Sequence, residues 1–243
     1  MQEKLSSNQQ KLNDINYNFN KIEENICNTA VKSGRNREDI IFLSATKTVD
    51  IEYINYAISL GLKYIGENKV QELLAKYDGY NLNNCSLQFI GHLQSNKVRQ
   101  IVDKVDMIQS VDSVKLAEEV AKQSLKYNKV TDILLEVNIG NEESKSGVLS
   151  EQLEELCYYA STLEGIKVRG LMTIPPICDS KTEVSKYFSD MYKLFVDIKS
   201  KNMDNVSMDF LSMGMSGDYE EAIKCGSNMV RIGSSLFGAR IYK

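Results

Sequence analysis

The stretch "IFLSATKTVD", Ile41 to Asp50, puts an amine where a buried strand ends: the apolar residues Ile41 to Leu43 run into Ser44-Ala45-Thr46, and Lys47 follows. A lysine at a strand end is ordinarily a solvated terminus, so its meaning depends on the strands around it. Seven further apolar runs recur along the chain: "KYIGEN", "LQFIGHL", "VDMIQSV", "TDILLEVNI", "IKVRGLMTI", "MDFLSMG" and "NMVRIG". Helical patterns lie between them, at Ile51 to Leu60, Val70 to Tyr77, Val114 to Tyr127, Leu149 to Leu163, Val184 to Lys199 and Tyr219 to Lys224. Continuous apolar strands alternating with helices mean buried parallel strands, because each crossover helix covers the sheet. Eight such units in 243 residues fit a closed (β/α)8 barrel better than an open doubly wound sheet.

Ahead of the first strand, Leu12, Ile15, Phe19, Ile22 and Ile26 keep three-to-four spacing, which predicts an amphipathic helix over residues 3–32 packed on the barrel. Pro175 and Pro176 both follow the sixth strand, and no linker or low-complexity tract divides the chain, so residues 1–243 read as a single domain. No apolar run approaches the ~18 residues of a membrane span. The polar N-terminus has no apolar core followed by a cleavage site, which predicts a cytoplasmic protein. Five scattered cysteines in no metal spacing read as packing thiols of a reducing compartment. A net charge of −4, with lysines interspersed among acids, gives nucleic acid no basic footprint.

In such barrels the chemistry sits at the C-terminal ends of the strands, and phosphate often binds in the loops after strands seven and eight. The seventh loop, "SMGMSGDYEEAI", offers Gly214, Ser216 and Gly217; the eighth, "RIGSSLFG", offers Gly233, Ser234 and Ser235. Glycines admit close backbone approach, serines add hydroxyls, and free amides at a helix start favour an anion. Each serine alone could equally be a helix N-cap. Two adjacent loops of the same chemistry at the same end of a barrel point to a phosphate cup. Lys47, on strand one and next to strand eight in a closed barrel, can face whatever that phosphate anchors. A partly desolvated amine has a lowered pKa and can form a Schiff base, so phosphate clamp and amine together suggest pyridoxal phosphate.

The segments "SATKTV", "GENKVQE", "FIGHLQSNK", "SVDS", "LLEVNIGNEESKSG", "GLMTIPP", "LSMGMSGDYEEAI" and "VRIGSSLFG" together resemble the pyridoxal phosphate homeostasis proteins. Those are similar in fold to the N-terminal barrel of alanine racemase, the type III fold of pyridoxal phosphate proteins. The resemblance implies that Lys47 carries the cofactor as an aldimine, that Ser216, Gly233 and Ser234 hold its phosphate, that Arg231 faces the pyridine nitrogen, and that Asn68 lies beside the ring. Two departures stand out: Ser234 where the family often has threonine, which keeps the hydroxyl, and Leu87-Gln88 where it often has tryptophan-histidine.

An arginine within a strand is more often a structural ion-pair partner than a functional group. Arg231, however, shares one side of its strand with Gly233. A donor that stays protonated leaves the ring nitrogen unprotonated and the cofactor a weaker electron sink. His92, without an evident acidic partner in the sequence, reads as a loop hydrogen bonder. The resemblance therefore implies a non-catalytic protein that buffers pyridoxal phosphate or delivers it to apo-enzymes that depend on it, and the lack of a racemase-type second domain, with its dimer interface, predicts a monomer. An amino-acid racemase is the alternative, disfavoured because no second base is matched by motif and the racemase's β-rich second domain has no counterpart here. A barrel enzyme forming a Schiff base with a phosphosugar is a weaker third reading.

Overall fold

The computed structural model describes residues 2–238; Met1 and residues 239–243, which belong to the expected domain span, lie outside the described residues. The long helix α1 (Gln2–Lys32) precedes β1 (Ile41–Ala45), α2 (Ile51–Ser59), β2 (Tyr64–Glu67), α3 (Val70–Lys76), β3 (Ser86–Phe89) and β4 (Met107–Val111). Then follow α4 (Val114–Lys126), β5 (Thr131–Glu136), α5 (Leu153–Ser161), β6 (Ile166–Met172), α6 (Lys181–Ser200), β7 (Val206–Met215), α7 (Tyr219–Lys224), β8 (Met229–Ile232) and α8 (Ser234–Phe237). The eight strands close in sequence order, all neighbours parallel, with β1 paired to both β2 and β8. This is the expected (β/α)8 barrel.

Strand alternation decides what faces inward. Leu43 and Met229 pack together in a cluster within the barrel, with Ile41 and Ala45 against it, whereas Phe42 belongs to the large outer core beneath the helices. The inward series on β1 is Ile41, Leu43, Ala45, and Lys47 follows in the turn two residues beyond Ala45, at the barrel mouth. On β8 the matching series is Met229, Arg231, Gly233. Leu43 pairs with Arg231 in the β1–β8 register. A Cβ on Gly233 would lie 3.0 Å from the Ala45 carbonyl, so the backbones of the two strands approach closely one layer above.

The buried stripe of α1 (Ile15, Phe19, Ile22, Ile26) packs on the outside of β1, where Phe19 and Phe42 rings lie 6.0 Å apart. Two asparagines fasten the helix further: Asn18 Nδ2 donates to the Leu236 carbonyl at 3.1 Å and Asn25 Nδ2 to the Tyr219 hydroxyl at 3.1 Å. It thereby braces α7 and α8, the helices that follow the two glycine-serine loops.

Three boundaries differ from the periodicity. The region between β3 and β4 is covered by a 3-10 segment, Ser95–Gln100, in which Val98 supplies the buried contact. The expected Leu149–Leu163 helix is shorter, because a 3-10 turn at Ser150–Gln152 leads into α5. Helix α6 starts three residues before Val184, since Ser180 caps it by accepting a hydrogen bond from the Glu183 N–H at 3.2 Å. No helix among the described residues is long and apolar enough to cross a membrane.

Candidate cofactor site

A cavity of about 630 Å³ opens at the C-terminal end of β1, β7 and β8, within the size range of small-molecule sites. Lys47, Ser216, Arg231, Gly233 and Ser234 all line it, so five of the six residues singled out from the sequence come together. Asn68 is not among the lining residues. It follows β2, its backbone pressed against Gly91 so that a Cβ there would lie 2.2 Å from the Asn68 carbonyl, and its buried Oδ1 has no partner among the described residues.

The two loops meet through one oxygen. Ser216 Oγ accepts hydrogen bonds from the Gly233 N–H at 3.2 Å and the Ser235 N–H at 3.3 Å. Two amides aimed at one acceptor are what an anionic oxygen requires, and here a neutral hydroxyl takes that place. Neither serine is an N-cap: Asp218 and Gly233 occupy the N-cap positions of α7 and α8, and the Asp218 Oδ1 accepts from the Met215 N–H at 2.6 Å in the turn before α7. Beside them Gly217 leaves open space, with no atom within 4 Å of an added Cβ. Among the described residues, three cations, Lys11, Lys47 and Arg231, line the cavity against one carboxylate, Asp50, which makes this lining positive in an acidic chain. The donor set, the charge and the open cradle fit a small phosphorylated aldehyde such as pyridoxal phosphate.

Arg231 is 4% exposed and fixed from below. Its Nη1 donates to Ser212 Oγ at 2.6 Å and its Nη2 to the Thr173 carbonyl at 2.8 Å. Ser212 in turn donates to Gln109 Oε1 at 2.6 Å, and Gln109 Nε2 donates to Gln88 Oε1 at 2.5 Å. The polar chain thus crosses the barrel interior from β8 to β3. Burial lowers the Arg231 pKa to about 10, with Glu136 and Asp218 opposing the shift, so the guanidinium stays charged at neutral pH.

Glu136, at the end of β5, is pushed up to about 7 by burial first and Asp112 second, against the pull of Arg231, and its Oε2 has no hydrogen-bond partner among the described residues. A carboxyl whose folded pKa is raised binds its proton more tightly when folded, so its contribution to stability falls as pH climbs from its unfolded value to about 7 and is flat beyond. Glu136→Gln is therefore expected to leave stability unchanged in acid and to raise it by roughly 2–4 kcal/mol above neutrality. Urea denaturation across this pH range checks the sign; a variant less stable than the parent at high pH refutes it.

Several residues escaped the sequence pattern. His92 does have an acidic neighbour: its Nδ1 lies 3.6 Å from Asp112 Oδ2 and 3.0 Å from Ser146 Oγ, at a largely exposed position. That corrects the expectation of no acidic partner. Lys11 and Tyr53 form a further wall of the cavity, the ammonium 5.0 Å from the ring centroid. Lys11 stands four residues before Ile15 on the buried stripe of α1, and this spacing was the available signal.

A closed parallel barrel with a lysine ending β1 and anion-receptive loops after β7 and β8 defines the class: the family model "Alanine racemase, N-terminal domain" matches residues 44–241. Within that class, the chain belongs to the family of pyridoxal phosphate homeostasis proteins. It is 43% identical to the protein of that name from Aquifex aeolicus, over 92% of this chain and 97% of the relative. Among solved structures, a protein from Bifidobacterium adolescentis superposes with a TM-score of 0.89 at 34% identity, covering 93% of this chain and 96% of that one. PipY of Synechococcus elongatus PCC7942, solved with PLP bound, gives a TM-score of 0.77 at 27% identity, over 88% of this chain and all of the other (100%).

Proposed function

We propose that this protein binds pyridoxal 5'-phosphate through Lys47 and serves vitamin B6 homeostasis, holding the cofactor and passing it to apo-enzymes instead of using it in catalysis. The observation that carries this is the meeting, in one cavity, of the Lys47 amine with two backbone amides aimed at a single acceptor oxygen. Family membership and the PLP-bound relative support it. When bound, the cofactor supplies an aldehyde that condenses reversibly with an amine. Lys47 is the amine of this proposal. Ser216, Gly233 and Ser234 hold the phosphate, Asn68 stands beside the ring, and Arg231 is assigned to the pyridine nitrogen. Being a donor with no acceptor, Arg231 cannot take a proton onto itself and does not favour a protonated ring.

The same cavity gives poor support to a racemase, which needs a base on each face of a substrate carbon. Tyr53 is the hydroxyl nearest to such a role. Its phenol is held above the ordinary range by burial first, then by Glu52 and Asp50, and stays protonated at neutral pH. A monomeric working unit is part of this proposal. Five unpaired thiols support a cytoplasmic setting. Solvent deuterium exchange at the α-carbon of alanine and other amino acids tests the reading: exchange slower than roughly 1 per second is expected, together with transfer of cofactor to an apo-enzyme. Exchange at ordinary enzyme turnover overturns it.

A further inference from the structure

Beneath Lys47 lies a hydrogen-bonded unit whose charged members, Glu67, Glu72 and Lys76, do not themselves line the cavity. Lys76 Nζ donates to Glu67 Oε1 at 3.0 Å, to Glu72 Oε1 at 2.6 Å and to the Thr46 carbonyl at 3.0 Å. Glu67 is fully buried, and its Oε1 also accepts from Thr46 Oγ1 at 2.7 Å and the Tyr80 hydroxyl at 2.8 Å. Glu72 Oε1 accepts in addition from the Thr48 N–H. The unit therefore grips the residue on each side of Lys47.

Thr48 is the strained member. Its φ is 62°, a conformation that β-branched residues avoid. Among the described residues, the other non-glycine positions with positive φ, Asn128, Asn141, Asn202 and Asn205, are all asparagines, which tolerate it. A threonine held left-handed persists only where its surroundings over-determine it, and such strain clusters at functional turns. Here the determinants are the Glu72 carboxylate on the Thr48 amide and the Lys76–Glu67 pair on Thr46. An ion pair that served the core alone would have no reason to hold this turn against its own preference.

We propose that Glu67, Lys76 and Glu72 are positioning residues for Lys47: they hold the Thr46–Lys47–Thr48 turn in its left-handed form and so keep the amine in the cavity. This rests on the assignment of Lys47 as the pyridoxal phosphate amine. Glu72 is the member to change, because it is partly exposed and its loss leaves the buried Glu67–Lys76 pair in place. Glu72→Ala slows the appearance of a borohydride-fixed pyridoxyl adduct on the Lys47 peptide by at least about tenfold, as small misplacements of reacting groups do. Non-covalent retention of pyridoxal phosphate, read by equilibrium dialysis, stays close to the parent's. Adding Thr48→Gly, which adopts positive φ without strain, restores the adduct rate.

Trace acetylation of the ligand-free protein reads the same amine without cofactor: the relative labelling of Lys47 shifts in Glu72→Ala and returns in the double variant. The positioning role is overturned if Glu72→Ala leaves both adduct rate and acetylation unchanged, if adduct rate and retention fall together, or if Thr48→Gly fails to restore the rate. A parent protein that neither retains the cofactor nor forms an adduct defeats the cofactor assignment instead, and the acetylation comparison then decides the positioning role alone.

Discussion

Lys47→Ala is expected to abolish the borohydride-fixed pyridoxyl adduct entirely while leaving the protein able to hold part of its pyridoxal phosphate. Strand β1 ends at Ala45 beside Gly233, and Lys47 follows in the turn two residues on, at the barrel mouth. No other lysine stands at that strand end. Lys11, the second lysine lining the cavity, arrives from α1 and sits over the Tyr53 ring. The phosphate contacts proposed for Ser216, Gly233 and Ser234 do not involve the amine, and a hydrogen bond to a charged acceptor is worth about 1.5–3 kcal/mol, so loss of the covalent link and loss of binding are separate measurements. Peptide mass analysis after reduction reads the first and dialysis the second. An adduct mainly on Lys11, Lys69 or Lys97 in the parent defeats the assignment.

The second large effect is on stability. Arg231→Leu removes a buried cation that ties three strands together, through Ser212 on β7 and the Thr173 carbonyl just after β6, and leaves Glu136 without its opposing charge. Deleting one member of a buried, hydrogen-bonded charged group costs about 3–5 kcal/mol, which for a chain of this length lowers the melting temperature by roughly 6–20 °C. Ligand-free protein is the right material, since a change in cofactor affinity then plays no part. Arg231→Lys keeps the charge without the two-pronged geometry and is expected to fall between. A melting temperature equal to the parent's would show that the barrel interior does not depend on this arginine.

What the amino-acid pattern made legible was whatever repeats or alternates. The period of two along β8 is enough to set Arg231 and Gly233 on one side of the strand, barrel closure brings the end of β1 and with it Lys47 beside them, and the three-to-four spacing of α1 marks its buried stripe. Contacts made across the barrel have no such signature. Gln88, Gln109 and Ser212 are joined to Arg231 from β3, β4 and β7, strands far apart in the chain, and nothing in their neighbours announces the link. Gln88, unremarkable as a side chain within β3, has its partner in Gln109 on β4. The Asp112–His92 approach is of the same kind, made only when the ends of β3 and β4 come together. Both serines looked equally suited to capping a helix, and backbone geometry alone reveals that Asp218 and Gly233 hold the N-cap positions.

The hydroxyl of Ser216 occupies two backbone amides, those of Gly233 and Ser235. Accepting from both amides leaves that hydroxyl its own proton to offer, so it can meet the anion as a donor while the two loops stay clasped to each other. A cradle latched in this way need not come apart to receive or to release its guest, which suits the lending role proposed above better than it suits an enzyme that keeps its prosthetic group for life.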